Sequence, residues 1–235
     1  LEKLGFEFVE YDTKEEPQPA AAGRPQSEES ALIGATEFAH LLSQFLQAYE
    51  AKRTEPFAVG AELHSAMSDL RNWLERAPAV ADRPTVKVKI SVGQGGWTKT
   101  PWIALLDSRE TTTTQRGIYA VFLIAEDLSV TYLTLNQGMT ELRNRLGQRG
   151  AADEMVRVAE ATRPKIPELK NAGFKFDNDI DLRSETGAAK NYETGTIAHV
   201  ALPSDALPDD ATLDGYLHAL LEAYDRIIET APKTG

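Results

Sequence analysis

The sequence contains no cysteine and no long apolar run. Without cysteine, this chain of 235 residues can form no disulfide, no thiolate zinc site and no cysteine nucleophile. Its longest apolar stretches, IALL at 103–106 and AVFLIA at 120–125, are far too short to cross a bilayer, and no secretory signal is visible. We therefore expect a cytoplasmic protein that has no membrane partner.

Positive charge is also scarce. The chain has 25 Lys and Arg against 36 Asp and Glu, a net charge of −11. Such a balance argues at first against a nucleic-acid partner, because phosphate backbones recruit positive surface. The charge is unevenly spread, however: residues 1–30 hold eight acids and three bases, whereas residues 85–150 hold eight bases and five acids. The net charge alone therefore does not exclude DNA.

Proline and small residues divide the chain. The stretch EEPQPAAAGRPQSEES at 15–30 contains three prolines and reads as a linker. We predict an acidic, proline-rich lead segment or linker over 1–30, one folded domain over 31–230 and a short tail over 231–235. With 42% apolar residues, a domain of this length can bury a substantial core.

Hydrophobic periodicity predicts helices at both ends of a run of strands. Spacings of three and four residues predict helices over 36–53, capped by Thr36, over 63–74, over 139–146 and 151–161 with interruptions at Gly147 and Gly150, and over 213–228. Alternating or continuous apolar runs predict strands over 86–92, 102–106, 118–124, 130–135, 174–182 and 196–202. The predicted class is α+β, with one curved, mainly antiparallel or mixed sheet flanked by N- and C-terminal helices.

No motif for catalysis is visible. The segment GQGGWTKT at 93–100 nearly imitates a phosphate-binding loop, but Thr98 stands where a glycine must precede the lysine, and Pro101 and a strand follow instead of a helix. The better interpretation is a glycine-rich loop that carries Gln94, Trp97 and Lys99 outward, or a simple turn with an exposed tryptophan.

Metal-binding residues show no suitable spacing. The four histidines lack ligand spacing, and Asp177, Asp179 and Asp181 alternate on a predicted strand, where a solvated acidic face is favoured over a cation site. We predict no catalytic residue, no metal and no cofactor.

Aromatic residues accompany the bases of the central segment. Trp97, Trp102, Tyr119, Phe122 and Tyr132 all lie within residues 85–150. Aromatic rings can stack on nucleic-acid bases, although aromatic residues in strands pack inward by default.

Four motifs then carry a resemblance to a known family. They are G-Q-G-x-W at 93–97, P-W-I-A at 101–104, G-I-Y at 117–119 and L-N-Q-G at 135–138. With the later segment NYETGTIAHVALPSDALPDDATLDGYLHALLEAYDRII at 191–228, the chain resembles the McrB-like N-terminal domain family over about residues 31–230. This family is the specificity module of modification-dependent restriction systems.

The resemblance implies a DNA-binding domain that flips a methylated cytosine into a pocket, while nucleotide hydrolysis and cleavage belong to other domains or subunits. Carried over by motif, the pocket residues are Trp102, Tyr119 and Leu123. Gln94 stands where the best-understood member has the tyrosine that fills the gap left by the flipped base. The predicted DNA-contacting residues are Gln94, Trp97, Lys99, Arg116 and Lys89.

Two functions stay open at this stage. The first is context-tolerant recognition of a modified base in duplex DNA by a type IV-like restriction protein that works with an effector nuclease or NTPase. The base is foremost 5-methylcytosine, with 5-hydroxymethylcytosine, N4-methylcytosine and N6-methyladenine as alternatives. The second is a protein-interaction or assembly domain of a restriction or defence complex. Burial of Trp102 and Tyr119 side by side, with no cavity between them, would favour the second function.

Overall fold

A computed structural model describes residues 36–230, so the predicted lead segment and tail lie outside the described residues. The helices are α1 (Glu37–Lys52), α2 (Gly60–Arg76), α3 (Pro78–Ala81), α4 (Thr140–Thr162), α5 (Glu168–Asn171), α6 (Gly187–Gly195) and α7 (Asp210–Thr230), with a 3₁₀ turn at Arg163–Lys165. The strands are β1 (Val86–Gly93), β2 (Trp97–Asp107), β3 (Ile118–Ile124), β4 (Val130–Gln137) and β5 (Ala198–Pro203). Across these residues, no helix combines the length and the apolarity that a membrane span requires.

The five strands form one open antiparallel sheet in the order β1-β2-β3-β4-β5. Each strand pairs with its neighbour in the sequence. Helix α1 precedes all the strands along the chain, and α7 follows them. The predicted α+β class, with an antiparallel sheet between N- and C-terminal helices, is therefore confirmed.

Strand β3 is apolar on both faces because both faces of the sheet are covered. Side chains alternate along a strand, and Ala120, Phe122 and Ile124 join the main core with residues of α1, α2 and α7. Phe122, for example, lies 5.7 Å from Phe38 of α1, measured between ring centroids. The intervening residues, Tyr119 among them, form a separate cluster on the opposite face.

The predicted strand over 174–182 is wrong. This segment makes only the isolated bridge between Lys175 and His199. Two of its aspartates accept hydrogen bonds from backbone N–H groups two residues further along the chain: Asp177 accepts from Asp179, and Asp181 accepts from Arg183. Such local bonds compete with a strand ladder, so the segment crosses the sheet face as an irregular connection.

Strand β2 begins at Trp97, five residues before its predicted start. Ser91 pairs with Trp102 and Gly93 pairs with Trp97, so extra residues of β2 bulge between the two pairs. Pro101 lies in this bulge, where the absence of an N–H group costs no ladder hydrogen bond. The bulge ends at Trp102 and thereby sets the position where regular pairing with β3 begins.

The ends and bends of two helices follow local chemistry. Thr36 occupies the N-cap position of α1, but its side chain makes no capping bond; the N–H groups of Glu37 and Phe38 instead donate to the carboxylate of Asp210 at the start of α7. In α4, Gly147 has φ 71° and ψ 174° and breaks the helix, as predicted. The interruption predicted at Gly150 is wrong, because that residue continues the helix.

A buried carboxylate ties the end of β2 to α7. Asp107 accepts hydrogen bonds from the Thr85 hydroxyl at 3.0 Å and from the Arg109 guanidinium at 2.6 Å, and Arg109 also contacts Asp225 of α7. Burial by itself raises the pKa of Asp107, but the hydrogen bonds from Arg109 and Thr85 outweigh it and hold the pKa below its ordinary value.

We predict that Asp107→Asn lowers the free energy of unfolding by about 1–3 kcal/mol at pH 7. Because the folded-state pKa is depressed, this stabilisation is present above the unfolded-state pKa and is lost as the pH falls through the folded-state value. Urea unfolding between pH 7 and pH 3 should therefore show a deficit that shrinks in acid. Asp205→Asn, at an exposed position, is the control, and a deficit of equal size at both pH values would contradict the assignment.

Candidate nucleic-acid interface

The three predicted pocket residues lie on one face of the sheet, opposite the main core. They belong to a cluster, named here the second-face cluster, that comprises Trp102, Ala104, Leu106, Tyr119, Val121, Leu123, Tyr132, Ile180, Leu182, Ala189 and Tyr192. Trp102 of β2 is the direct cross-strand partner of Leu123 of β3. Tyr119 lies four residues earlier on β3, about 13 Å along the strand. Tyr119 and Leu123 are fully buried, whereas Trp102 is partly exposed.

Tyr192 of α6 belongs to the same cluster and adjoins both aromatic residues of the predicted pocket. Tyr192 lies close enough to Trp102 and to Tyr119 to interact electrostatically with each of them. Burial raises the pKa of Tyr192 to about 12 and raises that of Tyr119 well above its usual value. Both phenols are therefore neutral near pH 7 and keep their O–H donors. Trp102 and Tyr119 are not packed side by side.

A cavity of about 430 Å³ adjoins this cluster. Tyr119 and Tyr192 contribute its aromatic wall, and its other lining residues are mostly polar: Thr114, Gln115, Gln137, Met139, Thr140, Arg143, Gln148, Gly187, Ala188 and Asn191. Its volume falls in the range of small-ligand pockets, about 300–1,000 Å³. Aromatic rings beside amide and hydroxyl groups suit a flat, polar heterocycle. Trp102 and Leu123 lie in the cluster but do not line the cavity.

Asn136 and Gln137, at the end of β4, hold the cavity walls together. The Asn136 amide donates to the carbonyl oxygen of Tyr192 at 3.0 Å and to the hydroxyl of Thr196 at 3.2 Å. The Gln137 amide donates to the carbonyl oxygen of Met155 in α4 at 2.9 Å. These side chains attach α4 and α6 to the sheet, which gives the L-N-Q-G motif a structural role.

The glycine-rich hairpin lies at the far end of the sheet from the cavity. Because β2 and β3 are antiparallel with Trp102 opposite Leu123, the hairpin tip is about 30 Å along the strands from the level of Tyr119. Gln94 is exposed at this tip. Lys99 forms an ion pair of 2.8 Å with Glu126 of the β3–β4 connection.

Trp97 anchors the hairpin to the helical layer. Its indole N–H donates to the carbonyl oxygen of Glu55 at 2.8 Å, and its ring packs edge-on against Phe57 and Tyr49 at centroid distances of 4.9 Å and 6.0 Å. The structure thus gives Trp97 a packing role, and a DNA contact for Gln94, Trp97 or Lys99 stays a prediction.

Lys89 and Arg116 lie on the cavity side instead. Lys89 is opposite Ala104 on the exposed edge strand β1 and donates to the carbonyl oxygen of Thr112 at 3.2 Å. Arg116 follows the cavity residue Gln115, is largely exposed, and lies 4.0 Å from Glu141. Of the five predicted DNA-contacting residues, these two are closest in the fold to the candidate site.

The three aspartates at 177, 179 and 181 do not alternate on a strand as predicted. Asp177, Asp179 and Asp181 lie on the irregular connection, and Asp177 bonds to the buried His199 at 2.6 Å. Burial by itself would raise the pKa of Asp177. The hydrogen bond from His199 and the other partners of Asp177 outweigh burial and hold the pKa below its ordinary value. Within residues 36–230, no group of three or more acidic or histidine side chains is arranged to hold a metal ion.

Sequence reasoning missed α6 and with it Tyr192. The helix is short, but Thr186 caps it by accepting from the N–H of Ala189 at 3.3 Å. A threonine followed at helical spacing by Ala189 and Tyr192 was the available signal. The cavity residues Arg143 and Gln148 carried no sequence signal, because they lie on an exposed polar helix face.

We predict that Asn136→Ala lowers the free energy of unfolding by about 1–3 kcal/mol, because buried backbone and hydroxyl partners lose their donor. Hydrogen exchange should show the largest loss of protection in α6. Asn144→Ala, on the exposed part of α4, is the matched control and should change stability by less than about 0.5 kcal/mol. Equal effects of the two substitutions would contradict the anchoring role.

Comparison with known proteins identifies the family. The family model described as "MrcB-like, N-terminal domain" matches residues 44–229, which include the whole sheet, the second-face cluster and the cavity. No curated protein matches the chain. An McrB-like N-terminal domain is a binding module, and its presence indicates the DNA-binding module of McrB-type restriction systems. The chain belongs to the MrcB-like N-terminal domain family, as the resemblance of its motifs predicts.

Proposed function

We propose that this domain reads a modified base in duplex DNA, foremost 5-methylcytosine, by flipping it out of the helix toward Trp102, Tyr119 and Leu123. It would serve as the specificity module of a type IV-like restriction protein in the cytoplasm, with cleavage and nucleotide hydrolysis supplied by an effector domain or subunit. The observation that carries this proposal is the presence of all three residues in one cluster, with Tyr119 on the wall of a cavity of about 430 Å³.

A flipped base requires a π or apolar surface to offset a few kcal/mol of lost stacking and pairing. The cavity offers the ring of Tyr119 and, beside it, that of Tyr192. Trp102 and Leu123, which pair across β2 and β3, do not line the cavity but pack in the same cluster as Tyr119 and Tyr192. The base would therefore lie against the wall that these two tyrosines form, which the rest of the cluster supports.

Discrimination between bases requires more than the methyl group. Burial of one methyl is worth about 1 kcal/mol, so shape and hydrogen bonds to the base edge must supply the rest. The side chains of Gln115, Gln148 and Asn191 line the cavity and offer both donors and acceptors. These amides are our candidates for contacts with the Watson–Crick edge.

The alternative role as an assembly domain without base reading gains no support from the site. That role would be favoured by Trp102 and Tyr119 buried against each other with no cavity. Instead, Trp102 is partly exposed and lies about 13 Å along the strands from the level of Tyr119, and a cavity adjoins Tyr119.

We predict that a duplex with one 5-methylcytosine binds at least about fivefold more tightly than its unmodified twin at fixed salt, which corresponds to about 1 kcal/mol. Trp102→Ala should remove most of this preference, because the cluster that holds Tyr119 and Tyr192 at the cavity wall loses the packing of the Trp102 ring. Competition binding with a panel of duplexes that differ in one base measures both effects.

Tyr216→Ala is the matched control. This tyrosine is also partly exposed, but it packs against the main core on the other side of the sheet, so the substitution should leave the preference intact. Equal binding of wild-type protein to modified and unmodified duplexes, for every modification in the panel, would refute base reading.

A further inference from the structure

The N-terminal part of α4 carries an arginine-rich segment at the edge of the cavity. We name residues 143–149 the arginine arm; its sequence is RNRLGQR. Arg143 and Gln148, near its two ends, line the cavity. The break at Gly147, with a φ of 71°, falls inside the arm and separates residues 143–146 from the remainder of α4. The arm is therefore fixed beside the candidate base site by the fold itself.

The positive charges of the arm are not neutralised by neighbours. Within the described residues, no carboxylate lies at ion-pair distance from Arg143, Arg145 or Arg149, and all three side chains are exposed. Arg145 acts on Glu154 only through its charge, since Glu154 pairs with Arg157. Elsewhere in the described residues, some bases, such as Lys99, are paired with acids, and others, such as Lys87, are not. In a chain of net charge −11, three unpaired arginines on one segment form a local anion-binding surface.

The arm also exposes a large apolar side chain. Leu146 is 45% exposed, the highest value among the large hydrophobic residues of the part of the chain that the structure describes. It lies between Arg145 and the break at Gly147, flanked in sequence by cavity residues. An apolar side chain among unpaired arginines matches the chemistry of a wedge that enters a base stack next to bound phosphates.

We propose that the arginine arm grips duplex DNA at the cavity edge, with Arg145 and Arg149 on backbone phosphates and Leu146 in the space that the flipped base vacates. The role of Leu146 rests on the proposed function of the cavity; the phosphate contacts do not. Gln94, which the family motif places in the gap-filling role, is about 30 Å along the strands from the level of Tyr119. Leu146 is therefore better placed than Gln94 to fill a gap beside this cavity.

The phosphate contacts are tested with unmodified duplex and the full chain. Neutralisation of two phosphate-binding residues should reduce the slope of log K against log salt by about 1.8. We expect this change for the double variant Arg145→Gln/Arg149→Gln, together with an equal loss of affinity for modified and unmodified duplexes. The control Arg76→Gln/Lys165→Gln removes the same charge from exposed residues outside the arginine arm. A slope equal to that of the control would overturn the proposal. An arm that contacts an effector subunit instead of DNA would give this result.

The wedge is tested separately with a fluorescent base analogue next to the modified base. At saturating protein, Leu146→Ala should reduce the flipping signal at least twofold and leave the salt slope unchanged. Val156→Ala is the control, because this residue is 43% exposed on the same helix beyond the arm. An unchanged signal for Leu146→Ala, or no flipping signal in the wild-type protein, would overturn the role of Leu146. Absence of flipping would also refute the proposed function, whereas the salt slope would still report on the arginines.

Discussion

The alternation of side chains along β3 is the constraint on which the rest of the structure depends. Ala120, Phe122 and Ile124 pack into the main core, while Tyr119 and Leu123 face the other way. A shift of one residue in the register would exchange these two sets. The long helices pack against the side chains of the first set. The side chains of the second set are covered by shorter elements, and a cavity lies beside them.

Few residues cover the second face of the sheet, and hydrogen bonds attach them to β4. This cover consists of an irregular connection and the nine residues of α6, and Asn136 and Gln137 bind its carbonyl groups from the end of β4. The cavity lies where this cover meets the arginine arm of α4. The acidic composition is compatible with this site, because three arginines that form no ion pair within the described residues lie together on the arm. Few phosphate contacts imply a shallow salt dependence and an affinity that depends on the base.

The sheet could be predicted from the sequence because strands 86–92, 118–124 and 130–135 follow strong apolar patterns, and each pairs with its neighbour along the chain. The segment 174–182 shows the limit of such patterns: its aspartates bind nearby N–H groups, which favours a loop over a strand. The grouping of Trp102, Tyr119 and Leu123 on one face also follows from the motifs. The position of Tyr192 in the same cluster, and that of Arg143 at the cavity, depends on how α6 and α4 fold back onto the sheet.

The most direct test of the account is a photo-crosslink between the base and the protein. A duplex that carries 5-iodocytosine places a photoreactive atom where the methyl group of 5-methylcytosine would be, and peptide sequencing by mass spectrometry then identifies the residue that it contacts. The account predicts crosslinks to Tyr119, Tyr192 or Trp102 of the second-face cluster. Crosslinks confined to the glycine-rich hairpin, at Gln94 or Trp97, would contradict it.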